Sequence, residues 1–249
     1  MDQLPELKSY TSNNCTGFKN VLKSFFKLKM KREILITGDG STTIRIPDWD
    51  ENYHSSHGAI QEAKHVFIAN GLDLFQHLEE LSILEIGFGT GLNAFITFLE
   101  TQHKSKVNYV GIEAYPVSAV ELAHMNYVSE LNASQYASIF EQMHLTPWEQ
   151  EIAITSQFNL SKRNQFFQDI TDKERYHLIY FDAFGYPLQP ELWSEAIFVK
   201  MYEALLPGGV LVTYACRSVI KNAMLAAGFT IEKLPGAPGK REMLRATKA

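Results

Sequence analysis

The stretch Ser82-Ile83-Leu84-Glu85-Ile86-Gly87-Phe88-Gly89-Thr90-Gly91-Leu92-Asn93 decides how the chain is read. Ser82 to Ile86 has the length and apolar character of a buried strand, and a helical pattern opens at Leu92 and runs to Glu100. Between them stand glycines at alternate positions. They let the backbone turn tightly and approach a ligand with no Cβ in the way. The spacing is GxGxG, not the GxGxxG of a dinucleotide fingerprint, and an acid, Glu85, stands two residues before the first glycine. A carboxylate in that position suits a cationic ligand and opposes a pyrophosphate. Taken alone, the loop also fits a plain strand-to-helix turn or another Rossmann ligand.

Working outward, Glu113 lies 22 residues beyond Gly91, just past the expected strand Val107 to Ile112. An acid there is placed to accept hydrogen bonds from ribose hydroxyls. S-adenosylmethionine offers an ammonium, a sulfonium and a ribose and has no phosphate, so Glu85, Gly87, Gly89, Gly91 and Glu113 together point to it as cofactor. Asp169 closes the third strand region, where it is either a partner for the exocyclic amine of adenine or a helix N-cap. Asp182 ends the expected strand His177 to Phe181 and precedes Ala183-Phe184-Gly185-Tyr186-Pro187. It therefore leaves the sheet on the ligand side with two aromatics beside it, unless it only caps the turn.

The rest of the chain alternates strands and helices. A hairpin is expected from Ile34–Thr37 and Thr43–Ile46 around Gly38-Asp39-Gly40-Ser41, and a helix from His57 to Asn70 closed by Gly71. After the glycine loop, a helix opened by Pro116 should run to Val128. A strand region follows between Ile152 and Phe167, either a single strand or a hairpin around Asn159 to Asn164. Further expectations are a helix from Pro190 to Leu205, a strand from Val210 to Ala215, a helix from Val219 to Ala227, and a closing pair, Phe229–Leu234 and Glu242–Ala246. This predicts an α/β, Rossmann-like fold with a mainly parallel sheet, an antiparallel closing strand and an N-terminal hairpin-and-helix extension. The divisions expected are a basic segment over 1–32, the extension over 33–80, and the main domain over 81–249.

Composition bounds the function classes. The chain has 249 residues, 45% hydrophobic and 20% charged, values of a packed protein and not of a disordered one. Its longest apolar run, Ala223 to Ala227, is far short of a membrane span, and no leader is evident, so a cytoplasmic protein with no membrane partner is expected. Cys15 and Cys216 form no CxxC pair, and His54 and His57 have no companion ligands, so no disulfide framework and no metal site are expected. The net charge of −5 hides a pattern. Residues 1–32 hold seven Lys or Arg against two acids, as do residues 217–249, while the middle holds nine against twenty-four. Lys19 to Arg32 carries six basic residues interleaved with Phe25 and Phe26, a pattern for phosphates and bases as well as for a solvated helix face.

With these residues in view, the chain resembles class I S-adenosylmethionine-dependent methyltransferases. More closely, it resembles the MnmC-type tRNA methyltransferase domain and its stand-alone relatives. The match is carried by Tyr53-His54-Ser55, Gly58-Ala59, Glu62, Val66-Phe67-Ile68 and Gly71-Leu72, then by Gly87 to Asn93, Asp182-Ala183-Phe184, Pro190 to Trp193, and Gly239-Lys240-Arg241-Glu242-Met243-Leu244. The resemblance implies methylation of the amine of a 5-aminomethyl-(2-thio)uridine at the tRNA wobble position. It implies cofactor contacts at Glu85, Gly87, Phe88, Gly89, Gly91, Asn93, Glu113 and Asp169, and puts Asp182 at the amine. Tyr53, Glu62, Phe184, Tyr186, Lys240 and Arg241 fall on the substrate side, with Phe184 or Tyr186 stacking on the extruded uracil and Lys240 and Arg241 holding phosphates of the anticodon stem-loop. The family's flavin-dependent half has no counterpart in these residues, so a separate oxidoreductase is the expected partner enzyme that supplies the amine. Two other classes fit the sequence less well: an aminopropyltransferase of the polyamine-synthase type, which would need no basic flanks, and a non-catalytic RNA-binding module, which would need no cofactor.

Overall fold

The computed structural model describes residues 31–102 and 104–249. Of the basic segment expected over 1–32, only Lys31 and Arg32 fall within these residues; Cys15 and Lys19 to Lys29 lie outside the described residues.

Three short strands open the described chain: β1 (Glu33–Ile36), β2 (Thr42–Ile46) and β3 (Glu51–Asn52), paired antiparallel in that order. The hairpin is the one expected. Helix α1 (Ala59–Ala63) continues as a π-helical turn, Lys64–Ala69, and the buried side chains of this segment, Val66 and Phe67 among them, pack on the main sheet. Strand β4 (Glu80–Ile86) leads through the glycine loop to α2 (Leu92–Glu100), and β5 (Lys106–Ile112) follows.

The helix expected from Pro116 to Val128 is instead two short helices, α3 (Ala119–Leu122) and α4 (Tyr127–Glu130). Ser118, not Pro116, opens the first, in a capping box with Glu121. The break falls at Asn126, whose side chain accepts from the Thr42 amide at 2.8 Å and donates to the Gly40 carbonyl at 2.9 Å, so a tertiary contact overrides helical continuity. Helix α5 (Ala137–Leu145) had no counterpart in the sequence reading. The next hairpin, β6 (Glu151–Thr155) and β7 (Phe158–Arg163), turns at Ser156-Gln157 and not around Asn159 to Asn164. Asn159 lies within a strand, donating to Asn108 of β5 at 2.9 Å.

Strand β8 (Tyr176–Phe181) follows, then α6 (Glu195–Ala204), β9 (Leu205–Thr213), α7 (Ser218–Ala226), β10 (Thr230–Pro235) and β11 (Glu242–Thr247). The helix expected from Pro190 is divided: a 3-10 turn over Pro190–Trp193 is separated from α6 by the extended Ser194.

The large sheet has the order β10-β11-β9-β8-β4-β5-β7-β6. Strands β4, β5, β7, β8 and β9 pair parallel, while β11 is antiparallel to both its neighbours and β6 is antiparallel to β7. The direction of winding reverses between β4 and β8, and crevices for ligands open at the carboxyl ends beside such a reversal.

The pleat sorts the core into two layers. Leu81, Ile83, Val107, Tyr109, Leu178, Tyr180 and Val212 face α2, while Leu84, Ile86, Val110, Ile179, Phe181 and Leu211 face α6 and α7. Gly111 of β5 pairs beside Glu85 of β4, and Phe88 occupies the space its missing side chain leaves. A Cβ on Gly111 would lie 2.3 Å from the Phe88 ring. Gly111→Ala should therefore displace the ring and lower stability by about 1–3 kcal/mol in denaturant unfolding. Phe88→Leu in the same chain should recover part of that loss.

Candidate functional site

The strand pleat brings the two central carboxylates together. Glu85 shares the parity of Ile83, and Asp182 that of Tyr180, so both side chains leave the sheet on the α2 face, at the carboxyl ends of adjacent strands. Asn93, in the first turn of α2, meets both. Its single Nδ2 amide donates to Glu85 Oε1 and to Asp182 Oδ2, each at 2.9 Å. Glu85 Oε2 and Asn93 Oδ1 are buried with no hydrogen-bond partner.

The glycine loop fits around this pair. Gly87, Gly89 and Gly91 all adopt positive φ, at 89°, 50° and 72°. At Gly87 the constraint is also spatial: a Cβ would stand 2.4 Å from the Asp182 carbonyl oxygen. Glu113 holds the loop from the far side, accepting from the Gly89 amide at 3.0 Å and the Tyr115 amide at 2.8 Å.

In front of these groups lies a cavity of about 260 Å³. One part of its lining is formed by Gly87 to Thr90, Asn93, Glu113 to Tyr115, Phe166 to Gln168, and Arg32. The other wall carries Trp49, Asn52, Tyr53, Asp182 to Phe184, Gln189 and Tyr214. Phe184 meets Trp49 and Tyr53 edge-on, with ring centroids at 5.7 and 5.1 Å.

The sequence-derived candidates divide accordingly. Gly87, Phe88, Gly89, Asn93, Glu113, Tyr53, Phe184 and Asp182 line the cavity, although the Phe88 ring itself is packed inward against Gly111, His144 and Trp148. Glu85 stands behind Asn93, fully buried, and Gly91 lies beneath the loop against His144. Asp169 follows the lining residues Phe167 and Gln168 without lining the cavity itself, and Tyr186 packs on the α6 layer. Glu62 and Lys240 stand outside the lining and pair with each other, and Arg241 is exposed at the surface.

Sequence reading passed over Trp49 and Tyr214, and counted Arg32 only within the basic stretch Lys19 to Arg32. Tyr214 follows the last residue of β9 at the same carboxyl edge as Asp182, a placement the strand pattern alone could have flagged. Arg32 donates to the Tyr115 carbonyl at 3.0 Å, pairs with Glu121 at 3.4 Å, and lies 5.6 Å from the Tyr53 ring centroid. No signal for that position existed outside the tertiary fold. His54, considered and set aside as a metal ligand, lines the cavity beside Thr43 and Thr90; burial pushes its pKa down to about 4, so it stays neutral. Among the described residues no group of three or more His, Cys, Asp or Glu is placed to hold a metal.

Burial dominates the electrostatics. Asp182 is half-buried on the cavity wall, and the desolvation of its carboxyl raises its pKa to about 7; Glu62 adds to the rise, while the Asn93 hydrogen bond and Lys240 oppose it. Burial lifts the Glu85 carboxyl well above its ordinary value, opposed by Asn93 and reinforced by Asp182. The wall has donors and acceptors for an aminoacyl and ribosyl ligand, including the orphaned Asn93 Oδ1, and its acidic groups would repel a phosphate. That is the chemistry of S-adenosylmethionine, and the residues fit it.

A glycine-looped acidic crevice at the winding reversal of such a sheet is the arrangement expected of a class I S-adenosylmethionine-dependent methyltransferase. Residues 130–249 match the family described as S-adenosyl-L-methionine-dependent methyltransferase. The chain is 28% identical over 218 residues to the tRNA 5-methylaminomethyl-2-thiouridine biosynthesis bifunctional protein MnmC of Leptospira borgpetersenii serovar Hardjo-bovis (strain JB197), covering 79% of this chain and 32% of that protein. It is 29% identical over 220 residues to the MnmC of Burkholderia mallei (strain SAVP1), covering 81% and 33%. It thus spans about a third of the length of these curated relatives. The crystal structure of MnmC2 from Aquifex aeolicus shares the fold, with a TM-score of 0.67 at 21% identity over 95% of this chain and 78% of that one. The family match thus covers the C-terminal part of the chain, and the similarity to the MnmC proteins extends over about four fifths of it.

The raised pKa of Asp182 has a thermodynamic consequence. Its folded pKa lies above the unfolded value of 3.8, so the folded state binds more protons between them, and stability falls as pH rises through that window. Asp182→Asn removes this dependence. The melting temperature of the variant minus that of the wild type should grow from pH 4 to pH 7 and level off above it, by differential scanning fluorimetry across that range.

Proposed function

We propose that this chain transfers a methyl group to the primary amine of 5-aminomethyl-(2-thio)uridine at the tRNA wobble position, giving 5-methylaminomethyl-(2-thio)uridine. The observation that carries this reading is Asp182: a half-buried carboxylate, positioned by Asn93, on the cavity wall beside Phe184 and with a pKa of about 7. When bound, S-adenosylmethionine supplies a methyl group already activated on a sulfonium. The chain's own task is to present a neutral amine in line with that methyl, and positioning of this kind supplies about 7–11 kcal/mol.

A free alkyl ammonium has no lone pair to offer. Asp182, ionised above pH 7, accepts a hydrogen bond from the ammonium, takes its proton and holds the neutral nitrogen oriented. The new N–C bond forms as the S–C bond breaks, its electron pair staying on sulfur, and the methylated nitrogen then sheds its remaining extra proton to solvent. Trp49, Tyr53 and Phe184 form an aromatic rim suited to an unstacked uracil. On the cofactor side, Glu113 and Asn93 are assigned to the ribosyl and aminoacyl groups, the glycine loop to close backbone approach, and the Phe167-Gln168-Asp169 turn to adenine. The anticodon stem-loop is the proposed RNA element, held by exposed cations that include Arg241. A separate oxidoreductase is proposed to supply the amine. The family match and the MnmC relatives favour methyl transfer over aminopropyl transfer or cofactor-free RNA binding.

Incubation with S-adenosylmethionine and tRNA bearing the 5-aminomethyl group should add one methyl to that nucleoside, read by nucleoside mass spectrometry. Label appearing in a polyamine instead would overturn the assignment. Glu113→Ala should weaken S-adenosylmethionine binding in calorimetry by tenfold or more with an unchanged circular dichroism spectrum. The Asp182→Asn variant should bind S-adenosylmethionine yet methylate at least a hundredfold more slowly in single turnover. Arg241→Glu should lower tRNA affinity and reduce the slope of log affinity against log salt by about 0.7–0.9.

A further inference from the structure

Lys240 belongs to a glycine-rich turn, 236–241, between β10 and β11, and its position suggested a phosphate contact. The fold turns it inward. Its Nζ makes an ion pair with Glu62 Oε1 of α1, a residue 8% exposed, and lies 4.0 Å from the centroid of the Tyr214 ring. The remaining Glu62 oxygen accepts from the Ser55 amide at 2.9 Å, immediately after the cavity residues Tyr53 and His54. The Tyr214 hydroxyl donates to the carbonyl of Ala183 at 2.8 Å, the residue next to Asp182. One ammonium therefore ties both ends of the acceptor wall together, and the turn is shaped to deliver it: a Cβ at Gly236 would strike the Lys240 carbonyl at 2.4 Å, and one at Gly239 would strike the His57 ring at 2.3 Å.

We infer that Lys240 and Glu62 form a charge pair that positions the acceptor wall and sets the protonation of Asp182, so that Lys240 is a positioning residue of the methyl transfer and not a contact for RNA phosphate. The inference rests on the reading of Asp182 as the group that takes the amine proton. Charged and titratable groups reach Asp182 from each element around it: Glu85 on β4, Tyr109 on β5, Glu62 on α1, Tyr214 after β9 and Lys240 in the turn, with the neutral Asn93 of α2 in direct contact. Of these, Lys240 alone is a cation. It favours the ionised carboxylate and Glu62 opposes it, so the pair's two members act on Asp182 with opposite sign.

The test is the pH profile of single-turnover methylation on amine-bearing tRNA, with S-adenosylmethionine saturating. The wild-type rate should rise through a limb near the Asp182 value of about 7. Lys240→Met should move that limb upward by roughly half a unit or more, and Glu62→Gln should move it downward by a similar amount. Lys240→Arg should restore the wild-type position, and the double variant Lys240→Met/Glu62→Gln should return close to it. Affinity for tRNA and its salt slope should change little in Lys240→Met. A thermal melt of each variant accompanies the profile; if Lys240→Met does not fold, Glu62→Gln and the double variant carry the test. Limbs that shift in the same direction, or not at all, would overturn the inference, as would a lost salt-slope increment in Lys240→Met. Asp182→Asn separates the two levels: if the limb persists in that variant, the reading of Asp182 fails, whereas loss of the limb there with unshifted Lys240 and Glu62 variants fails the charge pair alone.

Discussion

The molecule depends on a bond pattern that one amide group makes possible. Two carboxylates emerge from adjacent parallel strands on the same face, Glu85 fully buried and Asp182 half-buried, and each would repel the other if both were ionised. The two hydrogens of Asn93 Nδ2 answer one oxygen from each. An Asn on the first turn of α2 is therefore what lets β4 and β8 end side by side with acids at their tips. The loop glycines, the closeness of Gly87 to the Asp182 carbonyl and the grip of Glu113 on the Gly89 amide all presuppose that arrangement.

The opposite wall of the cavity has a different origin. Trp49, Tyr53 and His54 come from the small N-terminal sheet and the loop beyond it, while Tyr214 and Lys240 come from the far side of the large sheet. The joints between them are polar: the Glu62–Lys240 pair, the Ser55 amide on Glu62 and the Tyr214 hydroxyl on Ala183. A wall joined this way has directional contacts that fix orientation, and it leaves the aromatic surfaces to meet a ligand.

What sequence could reveal follows from the range of the forces involved. The glycine loop, the strands β4, β5 and β8 and the helix α2 were legible because period-two and helical patterns are local and this sheet is buried on both faces. Glu113 and Asp182 were legible because strand ends mark the ligand edge. The break at Asn126 was not, since it is imposed by Thr42 and Gly40, more than eighty positions away in the chain. Helix α5 was missed because only Phe140 and Met143 of its nine residues are buried, too thin a stripe to stand out. The partner of Lys240 was not legible: Glu62 lies 178 positions away, and nothing local distinguishes an inward lysine from a solvated one.

The placement of β11 has a consequence for how the chain reaches this state. It enters between β9 and β10, antiparallel to both, so the sheet on that side is complete only after one of the last described segments has threaded into its slot. Until then β9 presents an open row of backbone donors and acceptors next to a half-formed apolar layer, a surface prone to pairing with other chains. The same strand follows the turn that carries Lys240. Closure of the sheet edge and completion of this cavity wall are thus structurally coupled, and a chain that fails at the first also fails at the second, with an open edge exposed to other chains.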